Sequence, residues 1–466
     1  MVSRRRLALL LAVGISIVGS AGRAPGEKPR SATLLKGPYL TGLSESGVDV
    51  RFELDAPSPA RIEVRPDAAD AAAPVVFEDG PSAMHQVRVS GLAAARLYSY
   101  AVRIAGRVVG EGRFSTAPSP ESGAPLKFLV NGDNRSDTVV HAAVVRAMGA
   151  VPSDFIVNTG DMVEKGDSRE DWQSFFDIEA RLVRERPLFV AIGNHELYDD
   201  RAGANFARYF GFPGPASSQQ PYGTVRLSNV RFFFLNAVHD WASGEERTWL
   251  ERELSHADAE PGLVWRIAVM HQGPWSGGPH GGNAMFVRAR GPELLEAHHI
   301  DLLFAGHDHI YERGEGNGGL KYVISGGGGA PLYTVSRAAS TRKAEAVYHF
   351  VEVDTRTSSR EEIHLVARRL DGTVLDECGF KKGGPWDCDA YAAADANAAA
   401  ITVAGAGASQ GLGGAASATS SPPFSSPTTR CGCASPGASG GGRASAGLVL
   451  SAVLAAMSLR RRGRRA

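Results

Sequence analysis

The sequence has no excess of either charge and very little cysteine. Its 466 residues include 50 Lys and Arg against 50 Asp and Glu, and only four are cysteine. A nucleic-acid-binding protein normally carries a basic stripe, so a net charge of +0 argues against that class and predicts no nucleic-acid partner. With 43% hydrophobic residues, the chain can bury at least one large core.

The cysteines fall into two pairs. Cys378 and Cys388 flank a short loop that suits a disulfide in an oxidising compartment, and no second ligand pair lies near them for a metal site. Cys431 and Cys433 lie in the C-terminal region, within the motif CGCASPG.

The first 24 residues are typical of an export signal. A basic start precedes an apolar run, Leu7–Val18, that is short for a membrane span, and small residues follow near a cleavage point at Ala21 or Ala24. The start SRRRLA resembles a twin-arginine signal, and the ordinary secretory route is the alternative. Both predict a protein that acts outside the cytoplasm.

The C-terminal region predicts attachment to the cell envelope. Residues 390–445 are dominated by Ala, Gly, Ser, Thr and Pro, a composition that predicts a low-complexity linker. Residues 431–466 combine a cysteine motif, a short apolar stretch and an arginine cluster, and so resemble the sorting tails of the MYXO-CTERM type. That resemblance implies processing or lipid attachment at Cys431 or Cys433; a plain membrane anchor is the alternative.

Two folded units are expected between these ends. Residues 34–117 contain short alternating runs separated by turn residues, which predict an antiparallel β-sandwich, and GLAAARLYSYAVRI is similar to a fibronectin type III segment. Residues 125–370 instead alternate nearly continuous apolar strands with helical stretches, which indicates an α/β domain with its sheet covered on both faces.

The predicted strands of the second unit each end in polar residues. Functional loops of such sheets lie at the carboxyl ends of the strands, so these side chains are expected to converge. They are Asp133, Asp161, Asn194, His195, His271, His307 and His309. Carboxylate, amide and imidazole ligands suit borderline metals, and their number favours two ions roughly 3.5 Å apart that share a carboxylate.

The ordered motifs GD, GDMVEKG, GNHE, MH and GHDH resemble those of calcineurin-like metallophosphoesterases. GHDHIYER, YVISGGGGAPLY and the preceding β-rich unit look specifically like purple acid phosphatases. The resemblance implies a four-layer αββα sandwich and phosphoester hydrolysis on small phosphorylated substrates, with two Fe, Zn or Mn ions and monoesters favoured. A phosphodiesterase of the same fold and an inactive surface-binding or adhesion protein are the alternatives.

The same resemblance implies roles for single residues. Asp161 bridges the two metals; Asp133 and His309 hold the first ion, whereas Asn194, His271 and His307 hold the second. His195 is the expected acid that protonates the leaving oxygen or stabilises the transition state.

Two positions depart from the resembled families. Glu164 stands where purple acid phosphatases have the tyrosine that gives their colour, so it is a candidate ligand or an outer acceptor, and the protein is expected not to be purple. Arg135 stands where the wider family has a histidine ligand; a guanidinium offers no lone pair, so Arg135 is expected to contact phosphate or to pair with Asp133 or Glu164.

Other polar residues near these motifs are less decided. His280, in a glycine-rich loop, either closes over the substrate phosphate or is a solvated loop residue. Tyr311 and Arg313 are expected to pack and pin the GHDH turn. His141 is expected at a helix surface, with a position facing the site as the alternative.

Overall fold

The computed structural model describes residues 32–67, 73–213, 219–238, 241, 244–356 and 361–389. The predicted signal segment, the low-complexity segment and the sorting tail with Cys431 and Cys433 lie outside these residues. Within the described residues, no helix is both long enough and apolar enough to cross a membrane.

An antiparallel sheet of five strands forms the N-terminal part. Its strands are β1 (Leu34–Ser44), β2 (Gly47–Pro66), β3 (Val75–Val89), β4 (Leu97–Ile104) and β5 (Arg107–Ser115). The 20-residue β2 pairs with β1, β3 and β4, and β4 pairs with β5. Alternating residues such as Val50, Phe52 and Ile62 are buried in one core, because successive side chains of a strand point to opposite faces. The predicted strands are therefore present; the likeness to fibronectin type III stays a prediction.

The first large sheet has six strands in the order β20-β19-β18-β6-β7-β8. They are β6 (Lys127–Asn131), β7 (Phe155–Asn158), β8 (Leu188–Val190), β18 (His349–Arg356), β19 (Glu362–Arg369) and β20 (Val374–Lys381). Strands β6, β7 and β8 are parallel, whereas β18, β19 and β20 pair antiparallel. The sheet thus continues past residue 370, where the sequence placed the end of the domain.

The second large sheet has seven strands in the order β11-β12-β13-β14-β16-β15-β17. They are β11 (Gly223–Leu227), β12 (Val230–Leu235), β13 (Trp265–Met270), β14 (Leu302–Ala305), β15 (Tyr311–Glu315), β16 (Lys321–Ser325) and β17 (Thr341–Glu345). Strands β12, β13, β14 and β16 are parallel. Two further two-residue strands, β9 (Phe212–Pro213) and β10 (Gln219–Gln220), pair with each other.

Helices cover the outer faces of the two large sheets. They are α1 (Thr138–Gly149), α2 (Arg169–Val183), α3 (Ala204–Tyr209), α4 (Glu245–Asp258), α5 (Ala284–Arg288) and α6 (Gly291–Ala297). The two helices expected from the sequence begin at polar caps: the Asp137 carboxylate accepts from the first turn of α1, and the Ser168 hydroxyl accepts from Asp171 N–H in α2.

The two large sheets pack against each other through aromatic side chains. The Phe128 ring of β6 lies 5.3 Å from Phe232 of β12 and 6.1 Å from Phe304 of β14, measured between ring centroids. On the outer faces, Phe176 of α2 packs in the core of the first sheet and Leu254 of α4 in that of the second. The result is the helix–sheet–sheet–helix layering that the sequence resemblance implied.

The N-terminal sheet is attached to the α/β part through a buried polar cluster. The Glu53 carboxylate of β2 accepts hydrogen bonds from Lys36 Nζ at 2.7 Å, Arg208 Nη2 at 2.6 Å and the Tyr209 hydroxyl at 3.1 Å. Beside it, the Tyr39 ring lies 4.7 Å from that of Phe176. Charged groups and aromatic rings therefore both cross this boundary.

Near the end of the described chain, Cys378 and Cys388 form the disulfide that the sequence predicted. Tyr311 and Arg313 of β15 both donate to Asp376 Oδ2 of β20, each at 2.7 Å. These bonds tie the second large sheet to the first, immediately after the GHDH turn, so the two residues have the packing role expected of them.

Candidate metal centre

The predicted ligands come from five loops, each of which follows a strand. Asp133, Asp161 and Asn194 follow β6, β7 and β8 of the first sheet, whereas His271 and His307 follow β13 and β14 of the second. These strands are parallel within each sheet, so their carboxyl ends lie along one edge. The two sheets meet there, and the predicted side chains converge.

Three of the ligand candidates have unusual backbone conformations. The φ angles of Asp133, Asp161 and His307 are 58°, 56° and 70°, which lie in the left-handed region that residues with a side chain rarely adopt. Such conformations persist where surrounding contacts hold them, and they concentrate at functional sites. Each of the three lies two or three residues after the end of its strand.

Asp161 and His271 form the centre of the cluster. Asp161 is 1% exposed and His271 is fully buried, and His271 Nε2 lies 3.2 Å from Asp161 Oδ1. His271 Nδ1 donates to the Thr159 carbonyl at 2.9 Å, because a carbonyl oxygen can only accept. The Nε2 lone pair of the neutral ring therefore faces the carboxylate, and a cation is required between these two acceptors.

The charges of this pair follow from their proximity. Burial opposes ionisation of Asp161, but attraction to His271 and His195 outweighs it and holds the pKa of the carboxyl well below its ordinary value. Burial likewise opposes charging of His271, but attraction to Asp161, Asp133 and Glu196 raises its pKa to about 9. The pair thus binds a proton at neutral pH when no other cation is present.

His307 completes a group of three ligand atoms. One ligand atom each from Asp161, His271 and His307 lies within 4.8 Å of the other two, close enough to hold one metal ion. Burial and repulsion from His271 and His280 lower the pKa of His307 to about 2, so its ring is neutral and keeps a lone pair for a ligand bond. The donor set therefore fits a divalent ion.

Asn194 lies at the same edge of the sheet. Gln272, which follows His271, donates to Asn194 Oδ1 at 3.4 Å. An amide oxygen held in this way can complete an oxygen and nitrogen ligand set.

Asp133 and His309, the candidate ligands of the first ion, lie close to each other. The separation between His309 Nε2 and Asp133 Oδ1 is 3.6 Å, and both side chains are buried. The backbone N–H of His307 donates to both Asp133 oxygens, at 3.1 and 3.0 Å. Burial raises the pKa of Asp133 well above its ordinary value. For His309, burial lowers the pKa to about 4, so this ring is neutral as well.

Arg135 and Glu164, the two departures from the resembled families, pair with each other. Arg135 Nη1 donates to Glu164 Oε1 and Oε2 at 3.3 and 3.1 Å, and the Ser136 hydroxyl donates to Oε2 at 2.7 Å. The Glu164 side chain is 49% exposed. This pairing is one of the two roles expected for Arg135, and it favours Glu164 as an outer acceptor over Glu164 as a ligand.

His195 lies against the Asp161 carboxylate. Its backbone N–H donates to Asp161 Oδ1 at 3.0 Å, and its Nδ1 donates to the Glu164 carbonyl at 2.8 Å. The remaining nitrogen, Nε2, lies 3.8 Å from Asp161 Oδ2. The tertiary structure therefore places the expected acid at the cluster, with one ring nitrogen held and the other directed to the site.

The described part of the chain includes a match to a known family. Residues 127–311 match the family model for calcineurin-like phosphoesterases. The chain carries a calcineurin-like metallophosphoesterase domain. That family implies divalent metal ions, and the fit of the donor set around Asp161 and His271 agrees with it.

Curated relatives of the phosphoesterase domain include plant phosphatases. The chain is 29% identical over 207 residues to probable purple acid phosphatase 20 of Arabidopsis thaliana, covering 42% of this chain and 48% of the relative. It is 27% identical over 254 residues to an uncharacterized protein of Mycobacterium tuberculosis, covering 46% of this chain and 48% of that protein. The chain thus spans about half the length of the curated relatives it matches.

Solved structures show the same fold. Purple acid phosphatase PPD1 from yellow lupin, Lupinus luteus, aligns with a TM-score of 0.63 at 17% identity, covering 74% of each chain. The structure of PhoD aligns with a TM-score of 0.59 at 12% identity, covering 78% of this chain and 93% of that one. At these sequence identities, the structural similarity establishes only the fold, an α/β sandwich, and not the activity.

His280 lies beside the ligand cluster of this domain. Its Nδ1 lies 2.7 Å from Asp308 Oδ1, and its ring centroid is 4.2 Å from that of His307. The side chain is 42% exposed. His280 is therefore not an isolated solvated residue, because a carboxylate of the GHDH motif holds it at the rim of the site.

His141 was expected at a helix surface, and this expectation is wrong. The side chain is buried between α1 and α2, where its Nε2 lies 3.0 Å from Glu179 Oε1. Its ring stacks near Phe175, at a centroid separation of 5.8 Å. A pairing with a buried carboxylate on another helix has no signature in the local sequence.

Sequence reasoning missed two residues that shape the site. The buried Glu196 carboxylate accepts backbone N–H groups from Asp161, Met162 and Gly193 at 2.7 to 2.9 Å, and so holds the loops after β7 and β8 together. Tyr333 stacks on the His309 ring at a centroid distance of 4.0 Å. Glu196 is the last residue of GNHE, so its place in the motif was an available signal; Tyr333 had only its place in the glycine-rich segment.

Proposed function

We propose that the protein is a metal-dependent phosphoester hydrolase, acid phosphatase-like, with phosphomonoesters as the preferred substrates. The carrying observation is the buried pair in which the His271 Nε2 lone pair faces Asp161 Oδ1 at 3.2 Å, with His307 close by. The match to calcineurin-like phosphoesterases and the similarity to plant purple acid phosphatases support phosphatase activity.

The residues divide the chemistry among them. A bound divalent ion supplies a water of lowered pKa and offsets phosphate charge. Asp161, Asn194, His271 and His307 would hold that ion. Arg135 can donate two N–H groups to phosphate oxygens in a fork geometry. His195 Nε2, directed to the site, would hold the proton that passes to the leaving alkoxide oxygen.

The sequence resemblance implies a second ion, held by Asp133, Asp161 and His309. The Asp133 and His309 side chains are buried and close together, which supports a binding position between them. The Arg135 guanidinium lies close to Asp161, with its Nε 3.5 Å from Asp161 Oδ2. The proposal of hydrolysis therefore does not depend on whether the site binds one ion or two.

Hydrolysis of chromogenic substrates tests the proposal. Metal-stripped protein is reloaded with Mn(II), Zn(II) or Fe(II) and assayed with p-nitrophenyl phosphate and bis-p-nitrophenyl phosphate. We expect metal-dependent turnover with the monoester favoured, and a loss of at least about 100-fold in His271→Ala and Asn194→Ala. His256→Ala, at an exposed position of α4, is the matched control and should retain full activity.

The outcomes separate the candidate functions. Preferential cleavage of the diester would assign a phosphodiesterase of the same fold. Absence of turnover with every metal and both substrates would overturn the proposal and leave a surface-binding protein.

We also propose that the protein acts outside the cytoplasm, attached to the cell envelope, on small phosphorylated compounds. The Cys378–Cys388 disulfide supports an oxidising compartment. The export and sorting signals predicted at the two ends of the sequence support the same location. Fractionation of the native host, with detection by antibody, tests this: recovery in the cytoplasm would contradict it.

A further inference from the structure

The guanidinium of Arg135 lies among the groups expected to hold the first metal ion. Its Nε is 3.5 Å from Asp161 Oδ2, and its Nη2 is 3.4 Å from His309 Nε2. Its Nη1 donates to the Glu164 carboxylate at 3.1 Å. The side chain is 12% exposed, so this positive charge is largely enclosed by the site.

The lone pair of His309 is engaged by this arginine. His309 Nδ1 donates to the Pro331 carbonyl at 2.7 Å, because that oxygen can only accept. The ring nitrogen left with a lone pair is Nε2, and the N–H donor facing it is that of Arg135 Nη2. The atom that would ligate the first ion is thus a hydrogen-bond acceptor for a permanent cation.

The situation at His271 is the opposite. Its Nε2 also carries the lone pair, since Nδ1 donates to the Thr159 carbonyl. This Nε2 is buried and has no hydrogen-bond partner among the described residues; it lies 3.2 Å from the acceptor Asp161 Oδ1. The Nε2 lone pair of His271 therefore requires a cation, whereas the Nε2 lone pair of His309 already faces the cationic side chain of Arg135.

Asp161 connects the two positions through its two oxygens. Oδ1 faces His271 and Oδ2 faces Arg135. In a dinuclear site such a carboxylate bridges two metal ions. Here it bridges the metal position and a guanidinium.

We infer that Arg135 takes the place of the first metal ion, so that the site binds a single ion between Asp161, Asn194, His271 and His307. The inference rests on the proposed function and changes the number of ions that the resemblance implied. The guanidinium supplies positive charge and N–H donors beside the substrate phosphate. It cannot coordinate water, so water activation belongs to the single metal position.

Metal stoichiometry tests the inference without reference to activity. The purified full chain is stripped, dialysed against Mn(II) and analysed for bound manganese by mass spectrometry. About one Mn per chain is expected for the natural sequence, with the electron paramagnetic resonance spectrum of isolated Mn(II). About two per chain, or an exchange-coupled spectrum, would overturn the inference, as would no bound manganese.

Substitution of Arg135 tests whether this residue is the reason that only one ion binds. Arg135→His removes the guanidinium and introduces a ligand, so about two Mn per chain and an exchange-coupled spectrum are expected. If Arg135→His does not fold, Arg135→Gln is used instead. It also removes the positive charge, and we expect a second ion that binds with lower affinity. Folded variants that still bind one ion would overturn the inference. Arg146→His, at an exposed position of α1, is the matched control and should bind as the natural protein does.

Parallel assays keep this test separate from that of hydrolysis. Two ions with turnover would overturn the role of Arg135 and leave the hydrolase intact. One ion without turnover would support the role of Arg135 and contradict the hydrolase.

Discussion

At the residue scale, the direction of each hydrogen bond decides what a side chain can bind. The backbone carbonyls of Thr159, Pro331 and Glu164 accept from Nδ1 of His271, His309 and His195 respectively. Each bond fixes one ring nitrogen as a donor and leaves Nε2 directed to the site. Such outer partners orient metal-binding histidines and set their tautomer.

Glu196→Gln should weaken metal binding and lower stability. The buried carboxylate accepts N–H groups from Asp161, Met162 and Gly193, and an amide nitrogen would face one of these donors with another donor. We expect a 10- to 100-fold loss of metal affinity by isothermal titration, with about 1–3 kcal/mol lost from the free energy of unfolding. Glu185→Gln, at an exposed position, is the control. Unchanged metal affinity would show that the loops keep their shape without this carboxylate.

Iron-loaded protein should lack the tyrosinate-to-iron absorption band of purple acid phosphatases. The position of the expected tyrosine is Glu164, and its carboxylate is bound by Arg135 and Ser136. The visible spectrum of the Fe(III)-loaded protein checks this. A strong charge-transfer band would contradict it and would point to another phenol, with Tyr333 the first to substitute because it stacks on His309.

At the element scale, strand ends and strand-to-helix boundaries carry most of the polar contacts. The candidate ligands follow strands β6, β7, β8, β13 and β14, whereas β2 and α3 join the N-terminal sheet to the phosphoesterase domain through Glu53 and Arg208. Of the charges at this junction, Glu53 and Lys36 are buried and must be paired, because an unpaired charge in a protein interior is costly.

Glu53→Ala should destabilise the protein strongly. The substitution leaves Lys36, which is 7% exposed, without its carboxylate and removes the acceptor of Arg208 and Tyr209. Breaking a buried pair on one side costs about 3–5 kcal/mol. Urea unfolding measures this loss, with Glu45→Ala at an exposed position of the same sheet region as the control. A loss no greater than in the control would mean that the cluster does not attach the two parts.

His349 of β18 should make the protein sensitive to acid. Burial lowers the pKa of His349 to about 4, with Arg369 acting in the same direction and the Val347 carbonyl and Glu345 opposing it. The Tyr311 ring packs against it, at 5.2 Å between centroids. Because the folded-state pKa of His349 is depressed, the free energy of unfolding is unaffected by its titration above pH ~6.5. As the pH falls from there towards 4, protonation of His349 in the unfolded chain lowers the free energy of unfolding, by roughly 3 kcal/mol in total.

Unfolding measured from pH 8 to pH 4 checks this dependence. His349→Asn should remove its own share of the decline, roughly 3 kcal/mol, and leave the share of the other buried neutral histidines, His307 and His309. His256→Asn, at an exposed site, should leave the decline unchanged. An identical acid profile in His349→Asn and the natural protein would contradict the assignment.

At the scale of the whole molecule, the site joins the two large sheets. Asp133, Asp161 and Asn194 come from loops of the first sheet, and His271 and His307 from loops of the second. A bound ion is therefore expected to connect both sheets and to stabilise the folded state as any ligand of the folded protein does.

Metal removal should lower the unfolding temperature. At a free metal concentration of 100 times the dissociation constant, binding stabilises the fold by about 2.7 kcal/mol. Calorimetry with Mn(II) and with a chelator measures the difference, and His271→Ala should show a much smaller shift. Equal shifts in both proteins would place the stabilising ion elsewhere.

The sequence by itself determined the strands and the order of the ligand motifs, because apolar runs that end in polar residues identify strands and their functional ends. The choice of Asp133, Asp161 and His271 as candidate ligands followed from that pattern together with the family resemblance. Only the tertiary structure decided the partners of Arg135, Glu164 and His141. Glu164 was one of the partners expected for Arg135, and the structure selected it. Glu179 lies on another helix, 38 residues from His141, and such a pairing leaves no local signal.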